Sequence, residues 1–262
     1  MKRVITLILL LALYTPYSMA ARSVLVAAAS NMSNTLSEIT NQFEKQSGTR
    51  VKLSFGSSGN FARQIQQGAP FQIFLSADRK YVDKLADSGH KPVRIEEFAR
   101  GRIGFFVPKG SKLSTSTNLE DIINSIEFDD YNRMVYANPE FAPYGTAAVQ
   151  ALHSAGVWNI DKSKLLMGEN AAQALQFSLS GGVDVAVIPA SYAVLPKVKD
   201  KGRFYLIPEQ WHKPIQQYIA LMSDSNPSAT RFYDYLLSTE PQYILAKYGY
   251  STGPVIKVSS RP

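Results

Sequence analysis

The feature that most constrains the fold is an apolar strand that ends in small polar residues and leads directly into an amphipathic helix. Its first occurrence is residues 23–29, a nearly continuous apolar run typical of a buried parallel strand, followed by Ser30 and Asn31. The next apolar residues are spaced as one helix face requires: Met32, Leu36, Ile39 and Phe43. We therefore predict a helix with Ser30 or Asn31 as its N-cap and Gly48 at its end.

The same kind of junction occurs three more times. Residues 51–55 alternate as a strand and lead into Gly56-Ser57-Ser58-Gly59-Asn60, with a helix predicted from Phe61. Residues 134–136 lead into 138–145, where two prolines and a glycine force a defined turn before a helix over 146–155. The fourth junction is 165–170, before a helix that ends at Gly181.

The alternation of strands and helices indicates an α/β protein with two domains. A strand at 102–107 is interpreted as the first crossing between them, and a strand at 215–222 as the return. We predict a first domain of residues 21–103 and 218–262, a second domain of residues 104–217, and a cleft between the two. The polar stretch before residue 102 is predicted to be irregular, and Tyr243, Ile244 and Tyr248 are predicted to pack inward.

Residues 1–20 are predicted to be a secretory signal peptide. Lys2 and Arg3 precede the apolar run 4–14, and Ser18-Met19-Ala20 supplies the small residues of a cleavage site after Ala20. The apolar run is shorter than the roughly 20 residues that a transmembrane helix needs. The sequence thus predicts an exported, periplasmic protein whose mature chain is soluble.

Charge and cysteine usage narrow the function classes. Loss of Lys2 and Arg3 with the signal peptide lowers the formal charge from +7 to +5. The remaining basic residues are scattered, which argues against nucleic acid as a partner. The chain contains no cysteine, so thiolate chemistry and Cys-ligated metals are excluded, and the fold must be stabilised by its core.

Signatures of catalysis are missing from the sequence. Its three histidines, His90, His153 and His212, are not close in sequence to any of the serine junctions. There is no Gly-x-Ser-x-Gly elbow and no His-Glu-x-x-His helix. We expect no enzyme, no metal ligands and no cofactor; a serine hydrolase using Ser58 is the alternative from another class.

Helix starts of this kind can bind an anion without any charged side chain. The first N–H groups of a helix have no partner within it, and the helix dipole places partial positive charge there. Ordinary capping explains any single junction, and a tyrosine placed like Tyr144, between Pro143 and Gly145, is more often a packed turn residue than a ligand. Several such termini directed at one point would hold a dianion, because charge-assisted hydrogen bonds contribute roughly 1.5–3 kcal/mol each.

The ordered set of motifs resembles the periplasmic molybdate-binding proteins that serve ABC transporters. The matching segments span the predicted mature chain: Ala27-Ala28-Ala29-Ser30, Phe55-Gly56-Ser57-Ser58-Gly59, Gly68-Ala69-Pro70, Ser76-Ala77-Asp78, Asn138-Pro139, Ala142-Pro143-Tyr144-Gly145, Glu169-Asn170-Ala171 and Tyr248-Gly249-Tyr250. The resemblance implies a type II periplasmic binding protein fold, with two α/β domains and a hinged ligand cleft. It also implies a monomer that delivers molybdate or tungstate to a membrane permease.

The resemblance further implies which residues bind the oxyanion. Ser30 would donate its backbone N–H and hydroxyl, Asn31 its backbone N–H, and Ser58 would repeat the role of Ser30, with Ser57 as the alternative register. Tyr144 and Ala171 would donate backbone N–H groups from the second domain. The chain departs from many relatives at Pro189, where they have a tyrosine whose hydroxyl touches the oxyanion. We expect the backbone or hydroxyl of Tyr144 to replace that donor, with Tyr192, three residues beyond Pro189, as a weaker substitute.

Other tetrahedral oxyanions, sulfate and phosphate, remain the alternative within binding proteins. Molybdate has longer metal–oxygen bonds than sulfate has sulfur–oxygen bonds, so donors fixed for molybdate would lie too far from sulfate. Phosphate carries a proton near neutral pH, so a site built of donors alone would reject it. The sequence does not give the size of the cavity.

Overall fold

The computed structural model describes residues 23–251, and the predicted signal peptide and its cleavage site lie outside this range. Ten strands in the described residues form two five-stranded sheets. The strands are β1 Val24–Ala29, β2 Val51–Gly56, β3 Ile73–Ser76, β4 Arg94–Gly101, β5 Ile103–Pro108, β6 Met134–Ala137, β7 Leu165–Gly168, β8 Val185–Pro189, β9 Gly202–Leu206 and β10 Ile215–Leu221.

The α-helices cover the faces of these sheets. They are α1 Ser33–Ser47, α2 Ser58–Gln66, α3 Arg79–Asp87, α4 Leu119–Glu127, α5 Pro143–Ser154, α6 Ala171–Leu179, α7 Ala190–Ala193, α8 Pro196–Lys199, α9 Pro227–Leu236 and α10 Thr239–Lys247. No helix within residues 23–251 is both long and apolar enough to cross a bilayer.

The two sheets share one plan. The first has the order β2-β1-β3-β10-β4, with β1 parallel to β2 and β3, and β10 antiparallel to both of its neighbours. The second has the order β7-β6-β8-β5-β9, with β6 parallel to β7 and β8, and β5 antiparallel to both of its neighbours. In each sheet the carboxyl ends of the central parallel strands therefore meet at one edge, where α/β proteins bind ligands.

The chain crosses between the sheets at two places. Arg102 alone separates β4 from β5, and the second crossing lies between Leu206 and Ile215. The predicted boundaries at 103/104 and 217/218 would cut through β5 and β10. Hydrogen bonding assigns β5 to the second sheet and β10 to the first, so we place the domain boundaries at these crossings instead.

The two faces of the first sheet carry separate cores. Leu36 and Ile39 of α1 pack on one face with α9 and α10, and Phe61 and Val82 of α2 and α3 pack on the other. Helices on both faces explain why β1 is buried throughout most of its length, as its continuous apolar sequence predicts. The second sheet has its own core, which Ala29, Ala77 and Ile215 of the first domain join.

Several local expectations are wrong, each for a physical reason. The polar stretch before Arg102 contains β4, an edge strand bonded to β10, and edge strands commonly carry the charged residues that obscure their pattern. Tyr243 is 75% exposed, because Ile244 and Leu245 form the buried side of α10.

The predicted end of the first helix is confirmed. Gly48 ends α1 in the left-handed conformation that glycine favours.

Candidate functional site

The four junctions meet at one small cavity between the sheets. Ser30 follows β1 and Ser58 follows β2, while Tyr144 lies beyond β6 and Ala171 beyond β7. The cavity is small: the space open to the centre of a water-sized sphere is about 10 Å³. The lining includes the five residues that the sequence predicts for the site, Ser30, Asn31, Ser58, Tyr144 and Ala171. The other lining residues are Ala29, Gly56, Ser57, Ala142, Pro143 and Asn170.

Three helices begin at the wall of this cavity. Ser58 and Ala171 are the first residues of α2 and α6, and Tyr144 is the second residue of α5. The N–H groups of a first helical turn have no acceptor within their helix. Helix α2 was predicted to start at Phe61 and helix α5 at Thr146, but both start earlier. Ser58 and Tyr144 therefore lie within the first turns of these helices. The cavity wall therefore combines backbone donors with the positive ends of helix dipoles.

The serine hydroxyls around the cavity already accept hydrogen bonds from backbone N–H groups. Ser58 Oγ accepts from the N–H of Ala77 at 3.1 Å, and Ser30 Oγ accepts from the N–H of Ala172 at 3.3 Å. Ser57 Oγ is the N-cap of α2 and accepts from Asn60 at 3.3 Å. A hydroxyl has one proton to donate. With their oxygens engaged in this way, the serines are set to donate that proton to a ligand.

The lining is free of formal charge. Among residues 23–251, no His, Lys, Arg, Asp or Glu side chain lines this cavity. The described residues also contain no group of three or more His, Asp or Glu placed to hold a metal ion. The site therefore offers neutral hydrogen-bond donors, a chemistry suited to a small anion.

Gly145 explains how the Pro-Tyr-Gly turn reaches the cavity. A Cβ atom at this position would lie 1.9 Å from the carbonyl oxygen of Ala137, the last residue of β6. Only glycine allows helix α5 to start this close to the strand end. The motif thus brings the backbone of Tyr144 against the end of the second sheet.

The side chains of Asn31 and Tyr144 lie in a buried cluster between the domains. Asn31 Nδ2 is 3.2 Å from Tyr144 Oη, 3.0 Å from Gln217 Oε1 and 2.9 Å from Tyr250 Oη. Burial, and then the neighbouring Tyr250 and Tyr192, raise the pKa of Tyr144 well above its ordinary value, so its hydroxyl remains a neutral donor. Tyr144 Oη accepts a hydrogen bond from Asn31 Nδ2 within this cluster, whereas the backbone N–H of Tyr144 lies in the first turn of α5 at the cavity wall.

These contacts correct the predicted N-cap of the first helix. Residues Ser30–Met32 form a single 3-10 turn, and α1 begins at Ser33 with Met32 before it. Neither Ser30 nor Asn31 caps α1 with its side chain, because both side chains bond residues of the other domain instead.

The second domain also approaches the site through Ser191 and Tyr192. Pro189 ends β8 and precedes the short helix α7, which carries both residues. Tyr192 Oη donates to the carbonyl oxygen of Ser30, and Ser191 Oγ donates to that of Asn31 at 2.8 Å. Ser191, Gln217 and Tyr250 were not predicted from the sequence, because they come from segments distant from the junctions.

The rim of the cavity is closed by contacts between the domains. The N–H of Gly59 donates to the carbonyl oxygen of Phe141 at 2.9 Å, and Asn60 Nδ2 donates to Glu169 Oε1 at 2.7 Å. The guanidinium of Arg63 lies 4.2 Å from the centre of the Phe141 ring. The start of α2 therefore contacts both junctions of the second domain.

Comparison with known proteins identifies the family. The sequence model described as bacterial extracellular solute-binding protein matches residues 24–251. The molybdate-binding protein ModA of Azotobacter vinelandii is 33% identical over 233 residues, which cover 88% of this chain and 90% of that protein. The chain belongs to the ModA family of solute-binding proteins.

Other ModA relatives agree. ModA of Rhodobacter capsulatus is 30% identical over 236 residues, covering 89% of this chain and 90% of its own length. The solved structure of the periplasmic molybdate-binding protein of A. vinelandii matches with a TM-score of 0.78 at 26% identity, covering 88% of this chain and 100% of that chain. The expected fold, two α/β domains of the periplasmic binding protein type, is confirmed by this match.

Proposed function

We propose that this protein captures molybdate or tungstate between its two domains and delivers it to the permease of an ABC transporter. The observation that carries the proposal is the uncharged cavity in which three helix starts and the serine hydroxyls converge. The metal enters this site as an oxyanion cargo. The predicted signal peptide and the ModA relatives support a periplasmic location, and the protein is proposed to act there as a monomer.

The predicted binding residues have complementary roles in this proposal. Ser30 and Ser58 donate their hydroxyls, each of which is already oriented by a backbone N–H at its oxygen. Asn31, Tyr144 and Ala171 donate backbone N–H groups, the last two from the second domain. Ser57 stays the alternative register at the second junction, since its oxygen likewise accepts a backbone N–H, that of Asn60. Donors from both domains make closure of the cleft part of binding.

A donor-only site explains selection among oxyanions. An unprotonated dianion accepts at every oxygen, whereas phosphate near neutral pH presents an O–H that needs an acceptor. The oxygens of Ser30, Ser58 and Asn170 already accept backbone N–H groups. A protonated oxyanion would place its O–H against serine hydroxyls that are oriented to donate, and a donor left unpaired in this way costs about 1–3 kcal/mol.

A serine hydrolase using Ser58 is the weaker candidate. No histidine of the described chain lines the cavity, and the three histidines have other surroundings. His153 stacks on Trp158, and His90 and His212 contact the carbonyl oxygens of Ser88 and Lys213. Within residues 23–251, Ser58 therefore has no histidine within reach to act as its general base.

Titration calorimetry with molybdate, tungstate, sulfate and phosphate tests the proposal. We expect heat with molybdate and tungstate and at least a hundredfold weaker response with the other two anions. Heat with sulfate or phosphate alone would reject the molybdate assignment. Ester turnover that Ser58→Ala abolishes, without heat from any anion, would favour the hydrolase.

The double variant Ser30→Ala/Ser58→Ala tests the placement of the site. We expect at least about a hundredfold weaker molybdate binding, because two charge-assisted hydrogen bonds are lost. Ser178→Ala is the matched control: this buried hydroxyl donates to the carbonyl oxygen of Leu175 within α6. Wild-type affinity in the double variant would show that the anion binds elsewhere.

A further inference from the structure

We propose that Tyr192, Ser191 and Tyr250 are positioning residues, which hold the backbone of Ser30 and Asn31 from behind, and that Tyr192 also improves the N–H of Asn31 as a donor to the oxyanion. The inference rests on the proposed function and extends it to residues that do not touch the ligand. Pro189 has no donor and cannot make the direct contact with the oxyanion. The inference gives Tyr192 an indirect role instead, through the backbone of Ser30.

Three hydroxyls converge on two consecutive carbonyl oxygens. Tyr192 Oη donates to the oxygen of Ser30, while Ser191 Oγ and Tyr250 Oη donate to the oxygen of Asn31 at 2.8 and 2.9 Å. All three side chains are almost fully buried, so water does not compete for these carbonyls. The oxygen of Asn31 thus has both of its lone pairs engaged.

The bond from Tyr192 also acts on a ligand donor through the peptide group. The carbonyl of Ser30 and the N–H of Asn31 belong to one amide, so a hydroxyl that donates to the oxygen draws electron density from the nitrogen. Chains of hydrogen bonds strengthen one another by roughly 10–30% per bond in a low-dielectric interior. Tyr192 therefore makes the N–H of Asn31 a stronger donor.

The same bonds fix the geometry of the turn. Ser30–Met32 form one 3-10 turn without a side-chain cap, so the local sequence does little to fix its orientation. The side chain of Asn31 is held as well, because its Nδ2 contacts Gln217 and Tyr250. Backbone and side chain are thus both anchored outside the cavity, which leaves the N–H groups to face the ligand.

The arrangement links the donors of the first domain to the second domain. Ser191 and Tyr192 follow β8 of the second sheet, whereas Ser30 and Asn31 follow β1 of the first. The second domain therefore supports the donors of the first domain in addition to bringing its own.

Tyr192→Phe tests the inference against a matched control, Tyr205→Phe. Tyr205 is also a tyrosine of the second domain whose hydroxyl donates to a backbone carbonyl, that of Ser116, away from the cavity. We expect five- to tenfold weaker molybdate binding in Tyr192→Phe and no change in Tyr205→Phe, as the loss of one hydrogen bond predicts. Ser191→Ala should weaken binding in the same direction.

An amide NMR signal separates positioning from general destabilisation. In the molybdate-bound protein, the proton of the Asn31 N–H should shift upfield in Tyr192→Phe and stay in place in Tyr205→Phe. Unchanged affinity and an unchanged Asn31 signal in Tyr192→Phe would overturn the inference, while molybdate binding by the wild type would leave the proposed function standing. Failure of the wild type to bind molybdate would reject the function itself.

Discussion

Tyr144 contributes to two parts of the candidate site through different atoms. Its backbone lies in the first turn of α5 at the cavity, and its hydroxyl contacts Asn31 in the buried cluster between the domains. This hydroxyl also packs against the end of β4, where a Cβ atom at Gly101 would lie 1.9 Å from it. Gly101 adjoins the first crossing, so the closed form requires glycine there.

Gly101→Ala should therefore weaken molybdate binding by roughly tenfold or more, because its methyl group excludes Tyr144 from its closed position. Calorimetry on the single variants and on Gly101→Ala/Tyr144→Phe measures the coupling of the two sites. Removal of the Tyr144 hydroxyl relieves the shortest contact, so we expect the double variant to bind better than Gly101→Ala alone. Additive losses in the double variant would contradict this steric account.

At the scale of helices and strands, the sequence predicts the structure where the local pattern and the tertiary environment favour the same element. The apolar run of β1 and Gly48 at the end of α1 predict what the structure contains. The strand β4 escaped prediction, because an edge strand needs no apolar alternation. The four strand–helix junctions predicted the cavity wall, since each lies at the end of a strand. Gln217 and Tyr250 could not be predicted as part of the site, because their contacts with Asn31 depend on how distant segments pack.

The caps of α6 and α4 provide a test at this scale. Asn170 accepts from the N–H groups of Ala172 and Gln173 at the cavity, whereas Asn118 caps α4 in a capping box outside it. Asn170→Ala and Asn118→Ala should each lower the free energy of unfolding by about 1 kcal/mol in urea titrations. Molybdate affinity should fall in Asn170→Ala and remain at the wild-type value in Asn118→Ala. Equal affinities in both variants would mean that the start of α6 does not take part in binding.

At the scale of the whole molecule, the end of the described chain returns to its first junction. Tyr250 follows α10. Its hydroxyl accepts from the side-chain Nδ2 of Asn31 and donates to the backbone carbonyl oxygen of the same residue. Gln217 of β10 meets the same side chain. The first sheet, the second domain and the end of the described chain thus share one buried polar cluster. A cluster that is fully paired stabilises a single arrangement, because any shift leaves a buried polar group without its partner.

This cluster predicts how stability responds to alkaline pH. Burial raises the pKa of Tyr250 from 10.0 to about 12, so the folded state holds this proton more tightly than the unfolded state. The resulting stabilisation is complete below pH 10 and is lost as the pH rises from 10 towards 12. Its size is on the order of 2–3 kcal/mol, because a tenfold change in the proton-binding constant corresponds to about 1.4 kcal/mol.

Urea unfolding at pH 8, 9.5, 10.5 and 11 measures this loss. The free energy of unfolding should fall above pH 10 in the wild type, and less steeply in Tyr250→Phe, which has one buried hydroxyl fewer to ionise. Tyr243→Phe, whose ring is 75% exposed, should follow the wild-type curve. If Tyr250→Phe kept the full alkaline slope, the loss of stability would have to come from other buried hydroxyls. Candidates are Tyr144 in the same cluster and Tyr131 outside it, whose pKa burial also raises to about 12. Urea unfolding of Tyr144→Phe and Tyr131→Phe at the same pH values would then show which of the two hydroxyls causes the loss.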